Sequence, residues 1–188
     1  MTEKIIIAGA GGQGIMLLGK ILAEAAMREN RFVTWLPAYG AEVRGGTAHC
    51  MVIISDEEIG SPSISVADSL IVMNAPSYAR FKPRLKTKGL LVGNSTLVKN
   101  NLAVHSSDLW YPFTDIALKL ENVKVANMIA LGCFIARRPI VEVENIARVI
   151  EEIAPAHKKD LIEINKRALS AGIALVTEAN KKSGEKNG

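Results

Sequence analysis

Apolar positions along the chain follow two rhythms, and the change between them divides it near its middle. In the first half, short apolar runs alternate with helical or irregular stretches. Lys4–Ala8, Phe32–Leu36, Cys50–Ser55, Ser69–Met73 and Leu90–Val92 read as strands, with Leu102–Val104 a weaker one. The first and fourth are apolar almost throughout, the pattern of strands covered on both faces. Between the first two strands lies Ile15–Glu29. There Ile15, Leu18, Ile21, Leu22, Ala25 and Ala26 share one helical face, while Lys20, Glu24 and Arg28 repeat on the other. A strand–helix–strand unit of this length implies a right-handed parallel crossover. The second half repeats with helical period only: Val125–Arg137, Glu142–Ile153 and His157–Ala179. The pattern predicts an α/β fold. It has three layers (α/β/α), a mainly parallel sheet, a Rossmann-like first unit and a helical C-terminal half. Residues 1–180 form a single domain, and the polar ending Lys181–Gly188 is expected to be a frayed tail.

Composition narrows the function classes. Hydrophobic residues make up 48% of the 188 and charged residues 22%, which excludes a disordered chain. Aromatic content of 5% and a net charge of +4 argue against a nucleic-acid-binding module, which needs stacking platforms or a stronger basic excess. No apolar run reaches the roughly 18 residues of a membrane span. Met1-Thr-Glu-Lys4 runs straight into the first strand, so no leader is expected and the location read is cytoplasmic. Cys50 and Cys133 stand far apart and read as buried thiols. Two cysteines are too few for an iron–sulfur cluster or a structural zinc site.

Two segments carry candidate chemistry. Gly9-Ala-Gly-Gly-Gln-Gly14 follows the first strand and opens the first helix. Such a turn exposes helix-start N–H groups to an anion and brings the candidates Gly9, Gly11, Gly12, Gln13 and Gly14 together. A dinucleotide site also needs an acidic residue at the end of the next strand, about 20 residues on. That strand instead runs into Pro37, so a free-standing NAD(P) enzyme is the rival reading rather than the leading one. The second segment, Pro37–Ala48, has no periodicity and presents Tyr39, Glu42, Arg44 and Thr47 among Gly40, Gly45 and Gly46. Loops this long inside a domain tend to be functional. Both segments leave strand C-terminal ends, where ligands gather in parallel α/β sheets. The run Arg80, Lys82, Arg84, Lys86 and Lys88 reads as a solvated face, with steering of an acidic partner or a phosphate as the alternative. His49, His105 and His157 are scattered without metal spacing, and no G-x-S-x-G elbow is present, so neither a catalytic residue nor a metal ligand is assigned.

Taken in order, these pieces resemble the gamma subunit of the 2-oxoacid:ferredoxin (acceptor) oxidoreductases. The likeness is carried by Gly9–Gly14, Pro37-Ala-Tyr-Gly-Ala-Glu-Val-Arg-Gly-Gly46, Ser61-Pro62, Ile71-Val-Met-Asn74 with Pro76-Ser77, Asn127-Met-Ile-Ala-Leu-Gly132, and Asn165-x-x-Ala168-x-x-x-Gly172. It covers nearly the whole chain. The resemblance implies a subunit of a heteromeric enzyme that decarboxylates a 2-oxoacid oxidatively to an acyl-coenzyme A. Electrons pass to ferredoxin or a related acceptor. Thiamine diphosphate and the iron–sulfur clusters would reside in the partner alpha, beta and delta (ferredoxin-like) subunits. In this chain the resemblance gives Gly9, Gly11, Gly12, Gln13, Gly14 and Arg44 to a phosphate of coenzyme A or to a subunit interface. Tyr39, Glu42, Gly45, Gly46 and Thr47 go to the interface. Arg44-Gly-Gly-Thr47 resembles the 2-oxoglutarate branch (succinyl-CoA as product), with pyruvate and branched-chain enzymes as alternatives.

Overall fold

In the computed structural model, residues 1–38, 47–99, 108–154 and 159–184 are described. The strands are β1 (Thr2–Ala10), β2 (Phe32–Ala38), β3 (Thr47–Ser55), β4 (Ala67–Val72), β5 (Leu85–Asn94) and β6 (Leu109–Tyr111). The helices are α1 (Ile15–Met27), α2 (Ala75–Phe81), α3 (Phe113–Lys119), α4 (Ala126–Arg137), α5 (Val143–Ile153) and α6 (Lys159–Gly184). Five predicted strands and all four predicted helices are present, with ends shifted by a few residues. Leu102–Val104 lies outside the described residues. Helix α6 reaches Gly184, so the polar ending begins as helix.

The six strands form one sheet in the order β2-β3-β1-β4-β5-β6. β1 pairs in parallel with β4, β4 with β5 and β5 with β6. β3 is antiparallel to both β1 and β2, which leaves β2 running with β1 but not beside it. The sheet is thus mainly parallel, as the pattern predicts. The crossover through α1 nevertheless steps over a strand that periodicity alone does not locate. β3 zips along all of β1, from Thr2 opposite Ser55 to Ala10 opposite Thr47, and displaces β2 to the edge. The edge position also explains Pro37, which lacks an N–H and is tolerated where one side of the strand has no neighbour.

Helices lie on both faces of the sheet, unequally. Ile5, Ile7, Val52, Ile71 and Val92 face α1, α4 and α6, while Ile6, Met51, Ile53, Leu70 and Leu91 face α2 and the segment around Ile64. All six stripe residues of α1 are buried. Lys20 pairs with Glu24 at 3.5 Å, and Arg28 reaches α5, donating from Nη1 to Glu152 Oε1 at 2.9 Å. The deepest helix contact is α4 on α6. A Cβ on Gly132 would stand 2.1 Å from the Leu169 carbonyl oxygen, and one on Gly172 would stand 2.1 Å from that of Ile129. The two glycines let the backbones touch, and Cys133 Sγ donates to the Gly172 carbonyl at 3.2 Å. Cys50 and Cys133 are both free and buried, as expected, and burial pushes each thiol up to about 12.

Candidate functional site

The glycine segment forms a strapped turn at the C-terminal end of β1. Gln13 N–H donates to the Ala10 carbonyl at 3.2 Å, and the Gln13 side chain folds back so that its Oε1 accepts from Ala10 N–H at 2.7 Å. The same amide reaches across to β4, with Nε2 donating to the Met73 carbonyl at 3.4 Å. Gly12 and Gly14 have φ of +89° and +70°, the left-handed region that favours glycine. Gly14 is the N-cap of α1 and supplies no side-chain cap. Its carbonyl accepts from Leu18 N–H and from Asn127 Nδ2, each at 3.0 Å, which ties the turn to the start of α4. Gly9 is buried in the strand end, while Gly11 and Gly12 are exposed.

A cavity of about 300 Å³ opens beside this turn, at the lower edge of the range of small-ligand pockets. Gly11, Gly12 and Gln13 form one wall, and Thr114 of α3 and Lys124, just before α4, form another. Met73 lies behind, while Leu97 and Val123 line it with 42% and 49% of their surface exposed. Behind the cavity, the fully buried Asn94 closes β5 against α3. Its Nδ2 donates to the Met73 carbonyl at 3.3 Å and to Thr114 Oγ1 at 2.9 Å, and its Oδ1 accepts from Thr114 N–H at 3.4 Å. Thr114, Lys124, Leu97 and Val123 carry no motif. They lie far in sequence from the glycine turn and reach it because β1, β4 and β5 end side by side.

The second candidate segment leaves from the same end of the sheet. Pro37 and Ala38 close β2, and Thr47 opens β3 opposite Ala10, so both ends of the segment are anchored near the glycine turn. Tyr39, Glu42, Arg44, Gly45 and Gly46 lie outside the described residues. His49 sits on the α2 face with its ring centroid 4.8 Å from that of Phe81. Burial, with Arg80 and Arg84 nearby, holds it below the usual histidine value.

The basic run does not form one surface. Arg84 donates to the Ile64 and Ser65 carbonyls and stacks 5.6 Å from the Phe81 centroid, and Lys86 pairs with Asp68. Lys86, at the start of β5, lies at the opposite end of the sheet from the glycine turn, whereas Arg80 and Arg84 flank Phe81 near His49.

This strand order speaks against a dinucleotide site. In the Rossmann arrangement the acidic residue for the ribose comes from the strand beside β1. Here that neighbour is β3, running the other way, and Thr47 stands opposite Ala10. Cys50 and Cys133 are equally poor candidates for a cluster, each being buried in a separate element. Among the described residues, no three His, Cys, Asp or Glu gather as a metal site, and no helix is long and apolar enough to cross a membrane.

The fold and site therefore define an α/β chain with a glycine turn at the sheet end and, among the described residues, no acidic residue beside it in the dinucleotide position. The chain belongs to the pyruvate ferredoxin/flavodoxin oxidoreductase family, whose model matches residues 4–175. It is 36% identical over 93% of its length to the ketoisovalerate oxidoreductase subunit VorA of Methanothermobacter thermautotrophicus, and spans 36% of that protein. It is 33% identical to the 2-oxoglutarate synthase subunit KorC of Methanocaldococcus jannaschii, over 95% of this chain and 96% of that one. The gamma subunit of a keto/oxoacid ferredoxin oxidoreductase from Geobacter sulfurreducens superposes with a TM-score of 0.78 at 28% identity, covering 91% and 96% of the two chains.

Proposed function

We propose that the chain is the gamma-type subunit of a 2-oxoglutarate:ferredoxin (acceptor) oxidoreductase. In this reading the complex converts 2-oxoglutarate to succinyl-coenzyme A and passes electrons to ferredoxin. Thiamine diphosphate and the iron–sulfur clusters sit in the alpha, beta and delta partners, in the cytoplasm. This chain supplies no catalytic residue. It offers the glycine turn (Gly9, Gly11, Gly12, Gln13 and Gly14) together with Arg44 to a coenzyme A phosphate, and Tyr39, Glu42, Gly45, Gly46 and Thr47 to the partner subunits.

The carrying observation is agreement with a 2-oxoglutarate synthase subunit over 95% of this chain and 96% of that one, joined to an anion-suited turn beside which, among the described residues, no dinucleotide acid stands. The fit to coenzyme A is chemical: helix-start N–H groups and a guanidinium both suit phosphate oxygens. A branched-chain substrate is the second reading, supported by the 36% identity to the ketoisovalerate subunit.

The test is purification of the tagged chain from its own anaerobic extract, followed by dye reduction with 2-oxoglutarate, 2-oxoisovalerate or pyruvate. Co-purified thiamine- and cluster-bearing subunits with 2-oxoglutarate- and coenzyme A-dependent reduction are expected. Preference for 2-oxoisovalerate would move the assignment to the second reading. A partnerless protein that binds NAD(P) would overturn both. Within the complex, Arg44→Ala should raise the KM for coenzyme A; poorer assembly at unchanged KM would assign Arg44 to the interface.

A further inference from the structure

The cavity beside the glycine turn has a polarity that its strapping explains. Its lining includes one lysine, Lys124, and no acidic residue, and Lys124 makes no ion pair among the described residues. The Met73 carbonyl would repel an anion, but two amides hold it, Gln13 Nε2 at 3.4 Å and Asn94 Nδ2 at 3.3 Å. Thr114 Oγ1 accepts from Asn94 Nδ2 at 2.9 Å, which leaves its hydroxyl proton to be donated. Asn94 cannot turn its oxygen toward Thr114 Oγ1 without losing its bond to the Met73 carbonyl and setting its amide NH2 against the Thr114 N–H. The amides thus hold the Met73 carbonyl, and the Thr114 and Lys124 donors are left over for an occupant. A cation, a hydroxyl donor and a glycine turn at an uncapped helix start together suit a phosphate. Leu97 and Val123 add exposed apolar surface for the remainder of a larger molecule.

We propose that this cavity is a phosphate subsite, with Lys124 and Thr114 as its side-chain donors, and that the phosphate is one of coenzyme A. The second half of this statement rests on the subunit reading above. Inorganic phosphate or pyrophosphate is the other source of the same chemistry.

The test compares Lys124→Met, Lys124→Arg and Thr114→Val in the purified complex. Lys124→Met should raise the KM for coenzyme A about tenfold, and Thr114→Val about threefold, the usual scale for a charged and a neutral hydrogen bond. The kcat and the KM for the 2-oxoacid should stay unchanged, and Lys124→Arg should recover most of the loss. Pyrophosphate should inhibit competitively against coenzyme A, and more weakly in Lys124→Met. Pyrophosphate binding that needs Lys124 but does not compete with coenzyme A would keep the subsite and assign it to free phosphate. An active, intact complex with unchanged KM and unchanged pyrophosphate binding would overturn the subsite and leave the subunit reading standing. If no complex forms, the subunit reading fails, and calorimetric titration of the full chain with pyrophosphate decides the subsite separately: Lys124-dependent binding supports it and no binding overturns it.

Discussion

The two ends of the sheet treat charge in opposite ways. At the end where β1 begins, charges close on one another. Asp56 pairs with the N-terminal ammonium and with Arg31 Nε at 2.8 Å, Lys86 pairs with Asp68, and the buried Glu3 accepts from Ser69 Oγ at 2.6 Å. Arg138 stands 3.9 Å from the same carboxylate. At the end where β1 finishes, the charge of Lys124 is unpaired among the described residues, and the amides of half-buried Gln13 and buried Asn94 brace backbone carbonyls instead. At the first end most of the described charges meet a partner within the chain; at the second, Lys124 does not. Ion pairs are therefore a poor guide to function in this molecule, and the useful signal is which donors remain after the buried acceptors are satisfied.

The largest effect is expected from Gly14→Ala. It forces a Cβ to within 2.3 Å of Asn127 Nδ2 at a φ of +70°. The left-handed backbone and the displaced strap together should cost about 3 kcal/mol in denaturant unfolding. A loss under about 1 kcal/mol would mean that the turn is not braced by α4. Asn94→Ala comes next, because it leaves Thr114 Oγ1 and one bond of the Met73 carbonyl unsatisfied. About 2 kcal/mol of stability should go with it, and the KM for coenzyme A should rise in the complex; stability loss with an unchanged KM would confine Asn94 to structure.

The closed end makes a prediction about pH. Burial raises the Glu3 carboxyl above its ordinary value, more than the Ser69 hydrogen bond and Arg138 lower it. The folded state then holds a proton that the unfolded state has released. Stability should fall as pH rises from the ordinary glutamate value, near 4.5, through the raised folded value, and level off above it. Glu3→Gln should remove that decline, seen as a flatter dependence of the urea midpoint on pH; an unchanged slope would contradict the assignment. The smallest effect is expected from Lys86→Met, an exposed pair whose loss should cost no more than about 0.5 kcal/mol. A cost several times larger would show that the closed end is held by its ion pairs rather than by strand pairing.

Much of the fold could be read from the sequence, for physical reasons specific to each element. The α1 stripe is visible because one face is buried and the other solvated, and β1 and β4 because both their faces are covered. α2 is short and contains Pro76, so no helical period announces it; Asn74 caps its start, its Oδ1 accepting from Ser77 N–H at 3.0 Å. β6 and α3 are too short for a period to show. The antiparallel position of β3 is a matter of strand order, which periodicity does not encode. The glycine turn was legible because its backbone requires glycine. Thr114 and Lys124 were not, because nothing local distinguishes them from other surface residues, and only the convergence of strand ends brings them to the cavity. Gly132 and Gly172 were legible as motif letters, and the structure supplies their reason in the backbone contact between α4 and α6.

Hydrogen exchange of this chain within the purified complex, with and without coenzyme A, tests the contrast between the two ends most directly. Added protection is expected at residues 10–18, 94–98 and 122–128, and none at residues 53–57 or 84–88. Protection confined to the closed end, or no change at the glycine end while the complex turns over, would contradict it.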